Sequence, residues 1–212
     1  MKNEIIQIDE NTIWPKNGNR TYNTLITQLS HWDYVSPYLK KTNVMIQAGG
    51  NCGLLVRPFV DKFKQIYTFE PDPLNFYCLN NNLPYSNVCK IQGCLGSVNK
   101  CVSLDNIFLN GDNSDVGAYF VKKENGYTPT FKIDDLNVNQ CDLIMLDVEG
   151  FEYNVLQGAK NTLLKYKPVL CLEFYEPWLN RFNVNSDIIK EFLKEFGYKQ
   201  VAHYHSDVIF CI

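Results

Sequence analysis

Three carboxylates follow predicted strands in the second half of the chain. Asp147 and Glu149 come directly after an apolar run at residues 141–146, and Glu173 follows a second run at residues 168–172. If the first strand persists, Asp147 and Glu149 point to the same side, because side chains alternate along a strand. Paired carboxylates of this kind bind a substrate, take a proton or hold a metal ion. Asp147 and Glu149 are therefore candidate functional residues, and Glu173 lies at the same edge of the predicted sheet.

Glycines mark a second candidate site, earlier in the chain. Gly49, Gly50 and Gly53 lie between a predicted strand and a predicted helix, where glycine lets the backbone turn tightly and approach a ligand. Glu70 ends the next predicted strand, at a position where a carboxylate accepts hydrogen bonds from both hydroxyls of a ribose. S-adenosylmethionine and NAD both carry such a diol. The glycine spacing is not G-x-G-x-x-G, and the sequence contains no phosphate-binding P-loop motif.

The elements that must position these residues alternate between short apolar runs and helical patterns. This alternation predicts an α/β fold with a parallel sheet covered by helices, and a hairpin closes the chain. In such sheets ligands bind at the carboxyl ends of the strands, so the glycines and the acids should meet at one edge. The predicted strands cover residues 43–47, 65–69, 87–92, 141–146, 168–172, 199–203 and 208–212, and the predicted helices cover residues 54–64, 71–82, 151–166 and 186–196, the last with Ser186 as N-cap.

Composition and charge narrow the function classes. The chain has 212 residues, 45% of them hydrophobic and 20% charged, which is typical of one globular domain. No run approaches the length that spans a bilayer, and the start lacks the apolar run of a signal peptide. A net charge of −3 gives no general reason to bind nucleic acid.

The eight cysteines have no C-x-x-C spacing, which predicts free, buried thiols in a reducing cytoplasm. The three histidines show no spacing typical of a metal site, so no metal is expected.

Five sequence blocks together resemble the FkbM family of S-adenosylmethionine-dependent methyltransferases, and the resemblance covers residues 43–173. It implies a Rossmann-like methyltransferase sheet of seven strands, mostly parallel, with a C-terminal antiparallel hairpin. It also implies methyl transfer, most often to a hydroxyl oxygen, here of a small molecule, sugar or glycan. The blocks are IQAGGNCG at residues 46–53, YTFEPDP at residues 67–73, FKIDDL at residues 131–136, DLIMLDVEGFE at residues 142–152 and VLQGA at residues 155–159.

The resemblance also implies roles for individual residues. Asn51 is the candidate for the cofactor carboxylate, and residues 92–94 are expected beside the adenine. Asp147 or Glu149 is the candidate base that takes the acceptor proton, with Glu173 as a third choice. The residues expected to contact S-adenosylmethionine are Gln47, Ala48, Gly49, Gly50, Asn51, Gly53, Glu70, Pro71, Asp72, Gln92, Gly93, Cys94 and Asp147.

One position departs from the family pattern. The family usually has an acid where this chain has Gln47, and a glutamine can hydrogen-bond an ammonium group but brings no charge. Either another acid such as Asp147 supplies the charge, or the chain is a cofactor-binding module without methyl transfer. A nicotinamide-dependent oxidoreductase is a third hypothesis, motivated by the glycines and Glu70.

The remaining two segments are expected to determine which substrate binds. Residues 1–42 are expected to pack on the core or to cap the substrate site. Residues 43–212 form the methyltransferase domain, with a polar insertion at about 93–130. The expected partner is a small-molecule or glycan acceptor, with no nucleic acid and no membrane, and the sequence does not indicate an oligomeric state.

Overall fold

The computed structural model describes residues 4–16, 18–27, 30–106 and 116–212. Its centre is a seven-stranded sheet with the strand order β12-β13-β11-β10-β3-β4-β5. The strands are β1 (Ile5–Asp9), β2 (Thr12–Pro15), β3 (Val44–Ala48), β4 (Gln65–Glu70), β5 (Val88–Gln92), β6 (Cys94–Leu95), β7 (Cys101–Asn106), β8 (Tyr119–Glu124), β9 (Thr128–Phe131), β10 (Leu143–Leu146), β11 (Val169–Glu173), β12 (Lys199–Tyr204) and β13 (Asp207–Cys211). The helices are α1 (Asn19–Thr27), α2 (His31–Val35), α3 (Pro73–Asn82), α4 (Glu152–Gln157), α5 (Lys160–Tyr166), α6 (Glu176–Leu179) and α7 (Ser186–Glu195).

The central strands are buried on both faces, which is why they are apolar throughout rather than alternating. In β10, Leu143 and Met145 enter one core, while Ile144 and Leu146 enter the other. The first core is covered by α3 and the turns before β4, and the second by α4, α5 and α7. The seven strands and the closing hairpin agree with the sequence-based expectation.

The expectation of a mostly parallel sheet is wrong, because the sheet is mixed. Strands β11, β10, β3, β4 and β5 pair in parallel, whereas β13 pairs antiparallel with both β11 and β12. The insertion adds a separate four-stranded sheet, β6-β9-β7-β8, in which β7 pairs antiparallel with β8 and β9. The polar residues that made this segment hard to assign therefore lie partly in short, largely antiparallel strands.

Two predicted helices differ from those observed. Residues 54–64 form turns around a 3-10 helix at Arg57–Phe59 rather than an α-helix, because Pro58 lacks an N–H and clashes with the preceding turn. The predicted helix at 151–166 divides into α4 and α5 at Gly158. A Cβ on Gly158 would lie 2.1 Å from the carbonyl oxygen of Gly96, so this position needs a glycine at the break.

The last predicted helix has a different N-cap from the one expected. Asn185, not Ser186, caps α7, and its side-chain oxygen accepts the Ile188 N–H at 3.0 Å. Both residue types suit this position, so composition alone did not distinguish them.

The N-terminal residues pack on the sheet domain. The fully buried Trp14 of β2 lies in a small cluster with Cys52, Cys78 and Val116. Ile13 and Asn82 exchange two hydrogen bonds of 2.8 and 2.9 Å, which tie β2 to the end of α3. None of the helices described is both long and apolar enough to cross a membrane.

Candidate active site

The glycine loop after β3 is held against two neighbouring strand ends. The N–H groups of Gly49 and Gly50 both donate to the Phe69 carbonyl, at 3.1 and 2.9 Å. Gly49 has a φ of +82°, and a Cβ there would lie 1.8 Å from the carbonyl oxygen of Asp147. Only glycine permits this approach, so the loop and the end of β10 meet as the sequence predicts.

Glu70 connects the two loops that follow β3 and β4. One carboxylate oxygen accepts the Asn51 N–H at 2.7 Å, and the other accepts the Asp72 N–H at 2.8 Å. The side chain is 4% exposed. Burial raises the pKa of Glu70 to about 8, although the two backbone hydrogen bonds oppose this increase.

Two asparagines anchor the insertion over this loop. The side-chain amides of Asn51 and Asn75 both donate to the carbonyl oxygen of Val116, at 3.0 and 2.7 Å. Asn51 also accepts the Cys52 N–H, and its own φ of +46° places it in the left-handed region. The sequence pointed to Asn51 but gave no indication of Asn75 or Val116, because their contact depends on how the insertion folds back.

A cavity opens at this edge of the sheet and encloses about 910 Å³ of space not filled by atoms, including its solvent-open mouth. Ten predicted site residues line it: Ala48, Gly49, Asn51, Glu70, Pro71, Gly93, Cys94, Asp147, Glu149 and Glu173. The other predicted residues, Gln47, Gly50, Gly53, Asp72 and Gln92, are not among the lining residues. The cavity thus brings together the glycine loop, Glu70 and all three candidate catalytic acids.

Residues that sequence reasoning missed form the apolar wall of the cavity. Most come from helix α1, the turns after the glycine loop and the insertion, where no motif marks them, whereas Phe151 precedes α4 within the block at residues 142–152. They are Leu25, Leu55, Leu104, Val116, Tyr119, Val121 and Phe151. Residues 1–42 and the insertion, the two segments expected to determine which substrate binds, therefore both contribute to the cavity.

Gln47 lies inside the sheet, away from the cavity. Its side chain is fully buried, its oxygen accepts the Thr68 hydroxyl at 2.5 Å, and its amide donates to the Ala48 carbonyl at 3.0 Å. Thr68 is its register partner on β4. Both polar groups of Gln47 are therefore satisfied by the protein itself.

Asp72 acts as a helix cap. Its carboxylate accepts the N–H groups of Leu74 and Asn75 at the start of α3, at 3.0 and 2.9 Å. Gly53 has a φ of +92° and packs against Leu83. These two residues shape the loops around the cavity without lining it.

Asp147 and Glu173 are neighbours where the paired strands β10 and β11 end. Burial, followed by the charge of Glu173, raises the pKa of Asp147 well above its usual value. Burial, followed by the charge of Glu152, raises the pKa of Glu173 to about 7. Two buried carboxyls in contact do not both ionise readily, so this pair holds a proton near neutral pH.

Glu149 lines the cavity, but not because it continues the alternation of side chains along β10. Strand β10 ends at Leu146, and Glu149 has a φ of +56°, an uncommon conformation for a residue with a side chain. One of its carboxylate oxygens is buried and has no hydrogen-bond partner in the described protein. Burial, followed by the charge of Asp147, raises the pKa of Glu149 to about 10.

Glu152 holds this loop in shape. Its carboxylate accepts the N–H groups of Val148 and Gly150, at 3.1 and 3.4 Å, and the residue is fully buried. Burial raises the pKa of Glu152 to about 8. The sequence suggested a first-turn helix acid, which is where Glu152 lies, but its bonds go to the loop that carries Glu149.

Within the residues that the structure describes, no group of three or more histidine, cysteine or acidic side chains has a geometry suited to a metal ion.

Comparisons with known proteins agree with this arrangement. The model of the methyltransferase FkbM domain matches residues 48–199. An FkbM methyltransferase from Methylobacillus flagellatus KT superimposes with a TM-score of 0.57 at 18% identity, over 81% of this chain and 44% of that one. The chain thus spans less than half the length of that protein.

Two further solved structures share the fold. A TehB-like S-adenosylmethionine-dependent methyltransferase from Corynebacterium glutamicum has a TM-score of 0.52 at 10% identity, covering 91% of this chain and 93% of its own. Precorrin-6y C5,15-methyltransferase from Geobacter metallireducens GS-15 has a TM-score of 0.51 at 15% identity, covering 97% and 96%. No curated protein matches the chain.

The family match covers most of the chain and includes the glycine loop, Glu70 and the three cavity acids. The resemblance found in the sequence is confirmed: the chain belongs to the FkbM methyltransferase domain family.

Proposed function

We propose that this protein transfers a methyl group from S-adenosylmethionine to a hydroxyl of a small molecule, sugar or glycan. The observation that carries the proposal is the single cavity edge where the glycine loop, Glu70 and the Asp147–Glu173 pair meet. Membership of the FkbM family supports methyl transfer. The hydroxyl acceptor is inferred from the resemblance and from the presence of candidate bases.

The cavity suits a cationic cofactor. Its described lining residues include four carboxylates, Glu70, Asp147, Glu149 and Glu173, and no lysine, arginine or histidine. S-adenosylmethionine carries a positive sulfonium and a positive ammonium group, and the sulfonium supplies a methyl group that is already electrophilic. Burial raises the pKa of all four carboxyl groups, and the positive charges of a bound cofactor would favour their ionised forms, which would supply the charge that Gln47 lacks.

Glu70 would bind the ribose. Each of its oxygens accepts one backbone N–H, and the carboxyl group has further acceptor capacity that the ribose hydroxyls would use. Gly93 and Cys94 line the same cavity one strand further along and would flank the adenine, as the sequence suggested for residues 92–94. Asn51 lines the cavity on the glycine loop and would lie near the methionine end of the cofactor.

The Asp147–Glu173 pair would take the acceptor proton. A base works best when its pKa lies near the working pH, and the pKa of Glu173, about 7, satisfies this condition. The acceptor proton would move to the carboxylate pair as the hydroxyl oxygen bonds to the methyl carbon, whose bond to sulfur would break and leave S-adenosylhomocysteine. Glu149, with a pKa of about 10, is the weaker candidate at neutral pH because it stays protonated.

Calorimetry with S-adenosylhomocysteine and transfer of a labelled methyl group test the two parts of this proposal. We expect saturable binding at one site and labelled product in a metabolite or glycan extract. Glu173→Gln should abolish labelling while retaining binding. No heat at millimolar ligand would refute the cofactor site.

One observation favours a second candidate function. Gln47 is buried and fully hydrogen-bonded, so the position that usually provides a negative charge provides none. Binding of S-adenosylhomocysteine without any labelled product would indicate a cofactor-binding module that does not transfer methyl groups. A stabilising shift with NAD alone would instead indicate the oxidoreductase, which the family match does not favour.

A further inference from the structure

Asp207 connects the N-terminal helix α2 to the hairpin beside the cavity. One of its carboxylate oxygens accepts the Tyr34 hydroxyl at 2.7 Å and lies 3.2 Å from Nε2 of His31. The side chains of His31 and Asp207 are only 13% and 18% exposed. Where His31 is protonated, this shielded pair interacts more strongly than a pair in open solvent.

The same aspartate is a direct neighbour of Glu173 across the sheet. Asp207 stands opposite Glu173 in the antiparallel pairing of β13 with β11. Residues in such positions carry their side chains on one face, with Cβ atoms about 4.5–5.5 Å apart. Ser206, next to Asp207, donates its hydroxyl to Glu173 at 3.3 Å. His31 contacts Asp207, and Asp207 stands opposite Glu173. His31 is therefore linked through Asp207 to the side of the Asp147–Glu173 pair that faces β13.

Most groups that face this pair are acidic. They come from the loop after β10, from α4, from β11, from β13 and from α2. They are Glu149, Glu152, Cys171, Asp207, Tyr34 and His31, with Arg181 acting on Glu149. The charge of His31 lowers the pKa of Asp147, whereas Asp207 raises the pKa of both members of the pair.

We propose that His31 and Asp207 are positioning residues for the Asp147–Glu173 pair. When His31 carries a proton, its positive charge favours the ionised form of Asp147, and the contact with Asp207 holds the imidazole in place. Both residues lie outside the segment that matches the family domain, residues 48–199. Their role in methyl transfer rests on the proposed function, whereas the electrostatic link can be measured without an acceptor.

Carbon-13 NMR of the side-chain carboxyls, titrated from pH 4 to pH 10, tests this link. Signals of the pair are assigned with Asp147→Asn and Glu173→Gln. His31→Gln removes a positive charge and should raise the midpoint of the pair by roughly 1 pH unit. Asp207→Asn removes a negative charge and should lower the midpoint by a similar amount, roughly 1 pH unit.

Asp61→Asn is the matched control, because Asp61 is an exposed carboxylate paired with Lys62 in the turn before β4. It lies at the opposite end of the strands and should leave the midpoint of the pair unchanged. If Asp207→Asn fails to fold, the reciprocal measurement replaces it. Glu173→Gln removes a neighbouring negative charge and should lower the titration midpoint of the His31 ring.

Opposite shifts in His31→Gln and Asp207→Asn are the expected result. Shifts in one direction, or no shift in either variant, would overturn the assignment, since a merely structural role would not give opposite signs. Calorimetry with S-adenosylhomocysteine on the same samples separates the two proposals. Absent binding with opposite shifts would refute the proposed function alone.

Discussion

Gly49 offers the sharpest test of how the site is built. Replacing it with alanine places a Cβ 1.8 Å from the carbonyl oxygen of Asp147, well inside van der Waals contact. The new residue would also keep a φ of +82°, which residues with side chains rarely adopt. Because the obstacle is backbone rather than a flexible side chain, either the glycine loop or the end of β10 has to move.

The expected loss combines two effects. The left-handed conformation costs a residue with a Cβ roughly 1–2 kcal/mol. Forcing an extra carbon into a filled space costs about 1–3 kcal/mol. We therefore expect Gly49→Ala to lower the free energy of unfolding by about 2–5 kcal/mol.

Gly197→Ala is the matched control. Gly197 has a similar φ of +87°, but a Cβ there would meet nothing within 4 Å, so this variant should lose only the conformational part. Urea denaturation of both variants gives the difference, and calorimetry with S-adenosylhomocysteine should show weaker binding for Gly49→Ala alone. If Gly49→Ala were no less stable than Gly197→Ala, the close approach to Asp147 would be refuted.

Three further predictions concern the acids around the cavity. Glu70→Gln replaces one carboxylate oxygen by an NH2 group, which cannot accept the backbone N–H that points at it. Affinity for S-adenosylhomocysteine, measured by calorimetry, should therefore fall about tenfold or more. Asp72→Ala removes the cap of α3 and should cost about 1 kcal/mol in urea denaturation, with an unchanged free energy contradicting the cap. The pKa of Glu152 is raised to about 8 in the folded protein, so the folded state keeps a proton that the unfolded state loses at lower pH. The free energy of unfolding should therefore decrease as the pH rises from about 5 to about 8. Glu152→Gln should flatten this decline, and an equal pH slope in both proteins would contradict it.

The strands were predictable because their apolar runs are long enough to be buried on both faces. The apolar run at residues 141–146 predicts β10 with its start two residues too early and its end correct. The closing hairpin is predicted by two apolar runs separated by a short turn. The turns at residues 54–64 could not be predicted in place of an α-helix. Pro58 weakens a helix there, but by how much depends on how this segment packs against the core. The break at Gly158 was equally hidden, because it reflects the close approach of Gly96 in another segment.

The location of candidate site residues at one edge of the sheet was predictable where they follow strands directly. The Asp147–Glu173 pair, Glu70 and the glycine loop all end neighbouring strands, so strand order alone brings them together. Residues such as Leu25, Val116 and Tyr119 reach the cavity from helix α1 and the insertion, which have no fixed relation to the sheet in the sequence. The pairing of His31 with Asp207 joins residues 176 positions apart, a contact that only the folded chain shows.

A crystal structure with bound S-adenosylhomocysteine tests the central claim most directly. The account predicts the ribose hydroxyls within hydrogen-bond distance of Glu70 and the sulfur atom on the side of the Asp147–Glu173 pair. A ligand bound outside this cavity, or with its ribose away from Glu70, would contradict it.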